Sequence, residues 1–157
     1  MSIEKENFKL ILNRYTNMKF INIIYKTLIL MFSLILLFHL SIIIGLIDYS
    51  IVWGGRLNSK SEMYSFEFTS ILLNLFFLMI VLVDSKSIKL KVNPKYLLIS
   101  YWLMFILFFF NTLGNLFSKS SLETKIFTPV TIVLTILCLM IILLKRKEKN
   151  ENAKKFY

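Results

Sequence analysis

Residues 27–47 read TLILMFSLILLFHLSIIIGLI, with no Asp, Glu, Lys or Arg among them. As a helix rising 1.5 Å per residue, such a run crosses a hydrocarbon core of about 30 Å. Its basic N-terminal flank invites comparison with a secretory signal. The apolar run is longer than a signal core, however, and no small-x-small cleavage site follows, so the segment reads as a retained anchor. Outward from it lie three further apolar runs, 66–83, 96–117 and 126–144. The expected fold is therefore an all-α membrane protein, an up-down-up-down bundle of four transmembrane helices joined by short connections.

Composition supports this class. Hydrophobic residues make up 57% of the chain and charged residues 18%, with a mean hydropathy of +0.69. The charges gather at the ends and joins of the apolar runs, whereas a soluble bundle spreads them along one face of every helix. A formal charge of +10 raises the question of nucleic acid. Most of the basic residues flank apolar runs, which favours an anionic membrane surface and excludes nucleic acid as the partner. Cys138 is the only cysteine, so an intrachain disulfide, a CxxC redox pair and a thiolate metal cluster are all excluded. No motif calls for a cofactor.

The ends have their own pattern. In residues 1–26, Phe8, Ile11, Leu12, Tyr15 and Met18 recur at helical steps, with Lys5, Lys9 and Asn13 on another side. This predicts a separate amphipathic helix lying on the membrane ahead of the first crossing. Residues 145–157 form a basic tail. Fifteen of the nineteen Lys and Arg residues fall in the N-terminal arm, the 84–95 connection and the tail. By the positive-inside rule both termini face the cytoplasm of a bacterial inner membrane, and the 48–65 and 118–125 connections face outward. Asn93-Pro94 signals a turn before the third helix, and Thr128-Pro129 predicts a threonine N-cap with proline at the first helical position.

Polar residues inside apolar runs are the best guide to a site, because each needs a partner or a wet cavity. Glu67, Ser70 and Asn74 share one helical face, Asn111 and Asn115 another beside Gly114, and Thr128, Thr131, Thr135 and Cys138 a third. Together they predict a polar cleft open to the outer side. Thr131, Thr135 and the Ser41/Gly45 pair also fit simple helix-helix contacts. Glu67 has three readings: solvated at the lipid edge, paired with Arg56 or Lys60, or a ligand or proton site. Trp53-Gly54-Gly55-Arg56 has the composition of a tight turn, with Trp53 suited to the membrane interface and Arg56 to a phosphate or carboxylate. His39, the sole histidine, lacks a second ligand for a metal and fits helix packing or a hydrogen bond to Asn74.

The candidate ligand-binding set is thus Trp53, Arg56, Glu62, Glu67, Asn74, Asn111, Asn115 and Glu123, with Glu67 and Arg56 as catalytic candidates and no metal site. Asp48, Glu62, Glu67 and Glu123 make the outer side acidic, which suits a cationic or zwitterionic headgroup.

The pattern Trp53-Gly54-Gly55-Arg56-Leu57, Glu62, Phe66-Glu67 and Ser70, then Asn111-Thr112-x-Gly114-Asn115, Glu123 and Thr128-Pro129, resembles a group of small four-helix bacterial membrane proteins. That resemblance covers nearly the whole chain after the N-terminal arm. It implies the four-helix fold and carries no activity with it. In size and layout the chain is also similar to DoxX-like proteins. The expected function is binding, without catalysis, of a lipid-like small molecule or a membrane-protein partner, including a second copy of the chain. An enzyme built on Glu67 and Arg56 and a small oligomeric transporter are the alternatives.

Overall fold

The structure, a computed structural model, describes residues 2–154, with side chains from 16 to 148 and at 150. Four long helices make up the described chain: α1 (Ser2–Ile43), α2 (Lys60–Asp84), α3 (Pro94–Leu116) and α4 (Thr128–Lys154). Each contains an apolar stretch long enough to cross a membrane, and only 17–33% of those stretches is buried inside the protein. The rest turns outward as a belt that includes Leu30, Leu34, Leu37, Phe68, Ile99 and Phe110. Such a belt is stable against lipid and not against water.

The predicted separate arm is absent, because α1 runs without a break from Ser2 to Ile43. No proline or glycine occurs before Gly45, so nothing interrupts its hydrogen-bond ladder. The amphipathic faces expected around Lys5 to Tyr15 lie outside the described side chains. α1 ends in a Schellman motif, with Gly45 at φ +80 and bonds Gly45 N to Ile42 O (3.0 Å) and Leu46 N to Ser41 O (2.9 Å). Gly45 is therefore a helix stop, and not the close-packing contact with Ser41 that the spacing predicts. A Cβ there would meet nothing within 4 Å.

α2 starts earlier than its apolar run, at a variant capping box. Ser59 Oγ accepts from Glu62 N (3.2 Å), and Glu62 Oε2 accepts from Asn58 N (2.9 Å). α3 opens as expected, with Asn93 Oδ1 accepting from Lys95 N and Pro94 in the first turn. α4 departs from expectation. Thr128 is not an N-cap, because its backbone is already helical (φ −58, ψ −54) and the chain enters it through a π-turn, Glu123–Phe127. Pro129 lacks the N–H that an α-turn would use, and the wider turn, closed by Thr128 N to Glu123 O, absorbs it.

The helices pack antiparallel, α1 on α2, α3 on α4 and α1 on α4, while α2 and α3 have the thinnest contact of the four neighbouring pairs. Two regions divide the interior. Toward the chain termini lies a dry core of Leu28, Phe32, Val81, Tyr101, Met104, Cys138 and Ile141. The rings of Phe32, Phe77 and Phe108 meet at centroid distances of 5.7–6.2 Å and roof it. Toward the 44–59 connection, a smaller cluster of Ile42, Val52, Leu57 and Met63 seats that loop on the bundle.

The two ends are held differently. At the terminal end one carboxylate joins three helices: Asp84 Oδ2 accepts from Tyr25 Oη (2.7 Å) and Oδ1 from Lys145 Nζ (2.6 Å). Nothing in the hydrophobic pattern announced this pin.

Candidate functional site

At the loop end, above the Phe77 and Phe108 rings, the four helices enclose a cavity of about 290 Å³. Its size sits near the lower bound for small-molecule sites. Ile35, Leu107, Leu134 and the two rings form its apolar floor, and His39, Trp53, Glu67, Ser70, Asn74, Asn111, Asn115, Glu123 and Thr131 supply the polar wall.

Glu67 is the centre of that wall. It lies in the third turn of α2 and is fully buried. Its Oε2 is 2.6 Å from His39 Nδ1, a separation that requires a shared proton, and its Oε1 accepts from Trp53 Nε1 at 2.8 Å. A buried carboxylate without such partners would be strongly destabilising. Both partners come from the first hairpin: His39 from the last full turn of α1, Trp53 from the connection. Trp53 itself is held in a left-handed backbone (φ +55) that a bulky side chain rarely adopts, and its ring packs on Phe66 at 4.9 Å.

The rest of the connection is tied to the second hairpin. Gly54 N donates to Glu123 Oε1 (2.9 Å), and Ser120 Oγ donates to Ile51 O (2.6 Å). Gly54 and Gly55 both have φ near +70, and a Cβ on Gly55 would press on Ser50 O at 3.3 Å, so the fold of this loop needs both glycines. Asp48 starts it by accepting from Ser50 N at 2.9 Å, a bond that holds its carboxyl below the usual range. That contribution is present at neutral pH and is lost as pH falls through the lowered value.

The structure brings together six of the eight expected ligand-contacting residues, Trp53, Glu67, Asn74, Asn111, Asn115 and Glu123, around one cavity. Arg56 and Glu62 lie outside the lining, Arg56 exposed and Glu62 occupied with the start of α2. The expected pairing of Glu67 with Arg56 or Lys60 is replaced by His39 and Trp53, and burial rules out the solvated alternative. His39 does not bond Asn74, whose side chain donates to Ser70 O instead (2.8 Å). Asn115 and Thr112 both reach Thr131 Oγ1, at 3.5 and 3.0 Å. The Asn111 side chain is exposed and has no hydrogen bond among the described residues. It stands where α2 and α3 part.

Four apolar helices around a polar-walled cavity define a four-helix, multi-pass membrane protein. Comparison with protein-family models, with curated proteins and with solved structures finds no match.

Proposed function

We propose that this chain is a membrane-embedded binding protein that holds a small amphiphile in the loop-end cavity. The observation that carries the proposal is the division of the cavity into a polar wall around Glu67 and an apolar floor of Ile35, Leu107, Leu134, Phe77 and Phe108. A headgroup gains hydrogen bonds at the first and a chain gains contact area at the second. Entry is sideways from the bilayer, between α2 and α3, where packing is thinnest and exposed Asn111 and Leu73 flank the gap. The aromatic roof below the cavity favours a one-ended cleft over a transport path. Arg56 is exposed and is not among the lining residues, so the cavity wall holds no guanidinium to act as the anion clamp of an enzyme, and binding is the better supported role.

The reading is tested by what co-purifies. Protein extracted into nanodiscs should carry about one amphiphile per chain by native mass spectrometry. Asn111→Phe, which narrows the portal, should lose at least about tenfold of it while shifting stability by less than about 1 kcal/mol. Equal amounts in both proteins, or none in either, would remove the proposal.

The charge asymmetry supports an orientation with both termini cytoplasmic and the cavity end outward in a bacterial cytoplasmic membrane. A C-terminal alkaline phosphatase fusion should then be inactive and a C-terminal green fluorescent protein fusion bright. The reverse pattern would invert the assignment.

A further inference from the structure

Resting on the amphiphile-binding reading, the register of α2 against α3 points to the chemistry of the headgroup. The Phe77 and Phe108 rings meet at 5.7 Å and set these two helices level. From them toward the loop end, three residues lead to Asn74 on α2 and Asn111 on α3, and seven lead to Ser70 and Asn115. Steps of three and seven keep to one helical face. The four side chains therefore form two polar rungs above the aromatic one, about 6 Å apart along the helices, and all four line the cavity. Polar side chains that face each other between membrane helices ordinarily bond across the interface. These do not: among the described residues no hydrogen bond joins Asn74 to Asn111 or Ser70 to Asn115. Asn74 Nδ2 donates to Ser70 O and Asn115 Nδ2 reaches Thr131 Oγ1, which leaves both amide oxygens and one N–H of each unused, while the Asn111 amide is wholly unused. Ser70 differs from its neighbours in the same way. The hydroxyls of Ser65, Thr69, Thr112, Thr131 and Thr135 each bond the carbonyl four residues back, whereas Ser70 Oγ bonds nothing. The gap thus presents unspent donors and unspent acceptors together, all uncharged.

The rest of the lining disfavours an ion. No Lys or Arg faces the cavity. Glu67 is fully buried with both oxygens bonded, and Glu123 accepts from Gly54 N, next to which Arg56 lies, its Nε 3.2 Å from where a Cβ of Gly54 would stand. The cationic or zwitterionic headgroup that an acidic outer side predicts would give up its hydration mainly for neutral amides. We infer that the gap between α2 and α3 holds an uncharged, hydroxyl-bearing headgroup the size of glycerol, as in a monoacylglycerol. It donates to the amide oxygens and accepts from the amide N–H groups and the Ser70 hydroxyl, since a hydroxyl does both at once. A cavity of about 290 Å³ that also seats the start of a chain on its apolar floor has no room for an oligosaccharide.

Trp53 lines the cavity and Trp102 is the only other tryptophan, so Trp102→Phe leaves a single reporter. That variant of the full chain, in phosphatidylcholine nanodiscs at neutral pH, is titrated with monolauroylglycerol, dodecylamine and dodecyl sulfate, which share a chain length. Monolauroylglycerol should give a saturable change in Trp53 emission, with Kd at least about tenfold below that of either ionic probe. Ser70→Ala and Asn111→Leu each remove a side-chain group that bonds nothing within the protein, so both should fold. Each should weaken monolauroylglycerol about fivefold. Together they should weaken it by more than about tenfold and leave the ionic probes unchanged. Equal or tighter binding of dodecylamine or dodecyl sulfate, or unchanged monolauroylglycerol affinity in the double variant, overturns the uncharged-headgroup assignment and leaves the cavity reading standing. Absence of saturable binding by all three probes means that water alone bridges the rungs, and it overturns both.

Discussion

Replacing His39 by leucine is expected to destabilise the protein by about 3 kcal/mol in equilibrium unfolding from mixed micelles, the low end for breaking a buried ion or hydrogen-bonded pair. The side chain of Glu67 is 0% exposed and that of His39 14%, so water cannot replace the lost partner, while Trp53 Nε1 still holds the other oxygen. The variant His39→Leu/Glu67→Gln should recover most of the loss and unfold within about 1 kcal/mol of the parent, because a neutral amide needs no counter-charge and its oxygen still accepts from Trp53 Nε1. If the single variant were as stable as the parent, Glu67 would have to be hydrated, and the cavity's polar centre would have another origin.

Lys145→Met should cost about 2 kcal/mol by the same measurement, less than at His39 because Lys145 is 20% exposed and solvent screens part of the interaction. Asp84, 6% exposed, is left with Tyr25 alone. Asp84→Asn added to Lys145→Met should restore stability, since a neutral amide needs no counter-charge. Glu67 and Asp84 are separated by about 25 Å of helix at 1.5 Å per residue. The His39 and Lys145 effects should therefore add to within about 0.5 kcal/mol. A Lys145→Met protein indistinguishable from the parent would show that the pin contributes nothing to stability.

How much of this could be read in advance differs from level to level. The four crossings were plain, since continuous apolar runs of this length have few other uses. The shared face of Glu67, Ser70 and Asn74 followed from helical spacing, as did that of Asn111 and Asn115, and all five line the cavity. The central pair was missed for a geometric reason. Apolar run-lengths place His39 near the midplane and Glu67 at the edge, but α1 stops at Ile43 and α2 starts at Lys60, not at 47 and 66. A shift of four to six residues is about 6–9 Å along a helix, enough to bring the two side chains level. The Ser59–Glu62 box and Gly45 carry that correction in the sequence itself. Thr128-Pro129 misled because proline after threonine ordinarily opens a helix, and a π-turn leaves no compositional mark. The Asp84 pin joins residues 59 and 61 positions apart, which no local pattern encodes.

The ties between the first connection and the second hairpin bear on how the protein is made. Gly54 and Ile51 lie in the first hairpin to leave the ribosome, yet the groups that hold them, Glu123 and Ser120, are synthesised almost seventy residues later. Until they arrive, the loop rests on its own hairpin alone, with Glu67 and Phe66 holding Trp53 in its left-handed turn. The first pair of helices thus enters the membrane with its carboxylate already partnered but its glycine turn loose, and the arrival of Ser120 and Glu123, just ahead of the last helix, is what closes it.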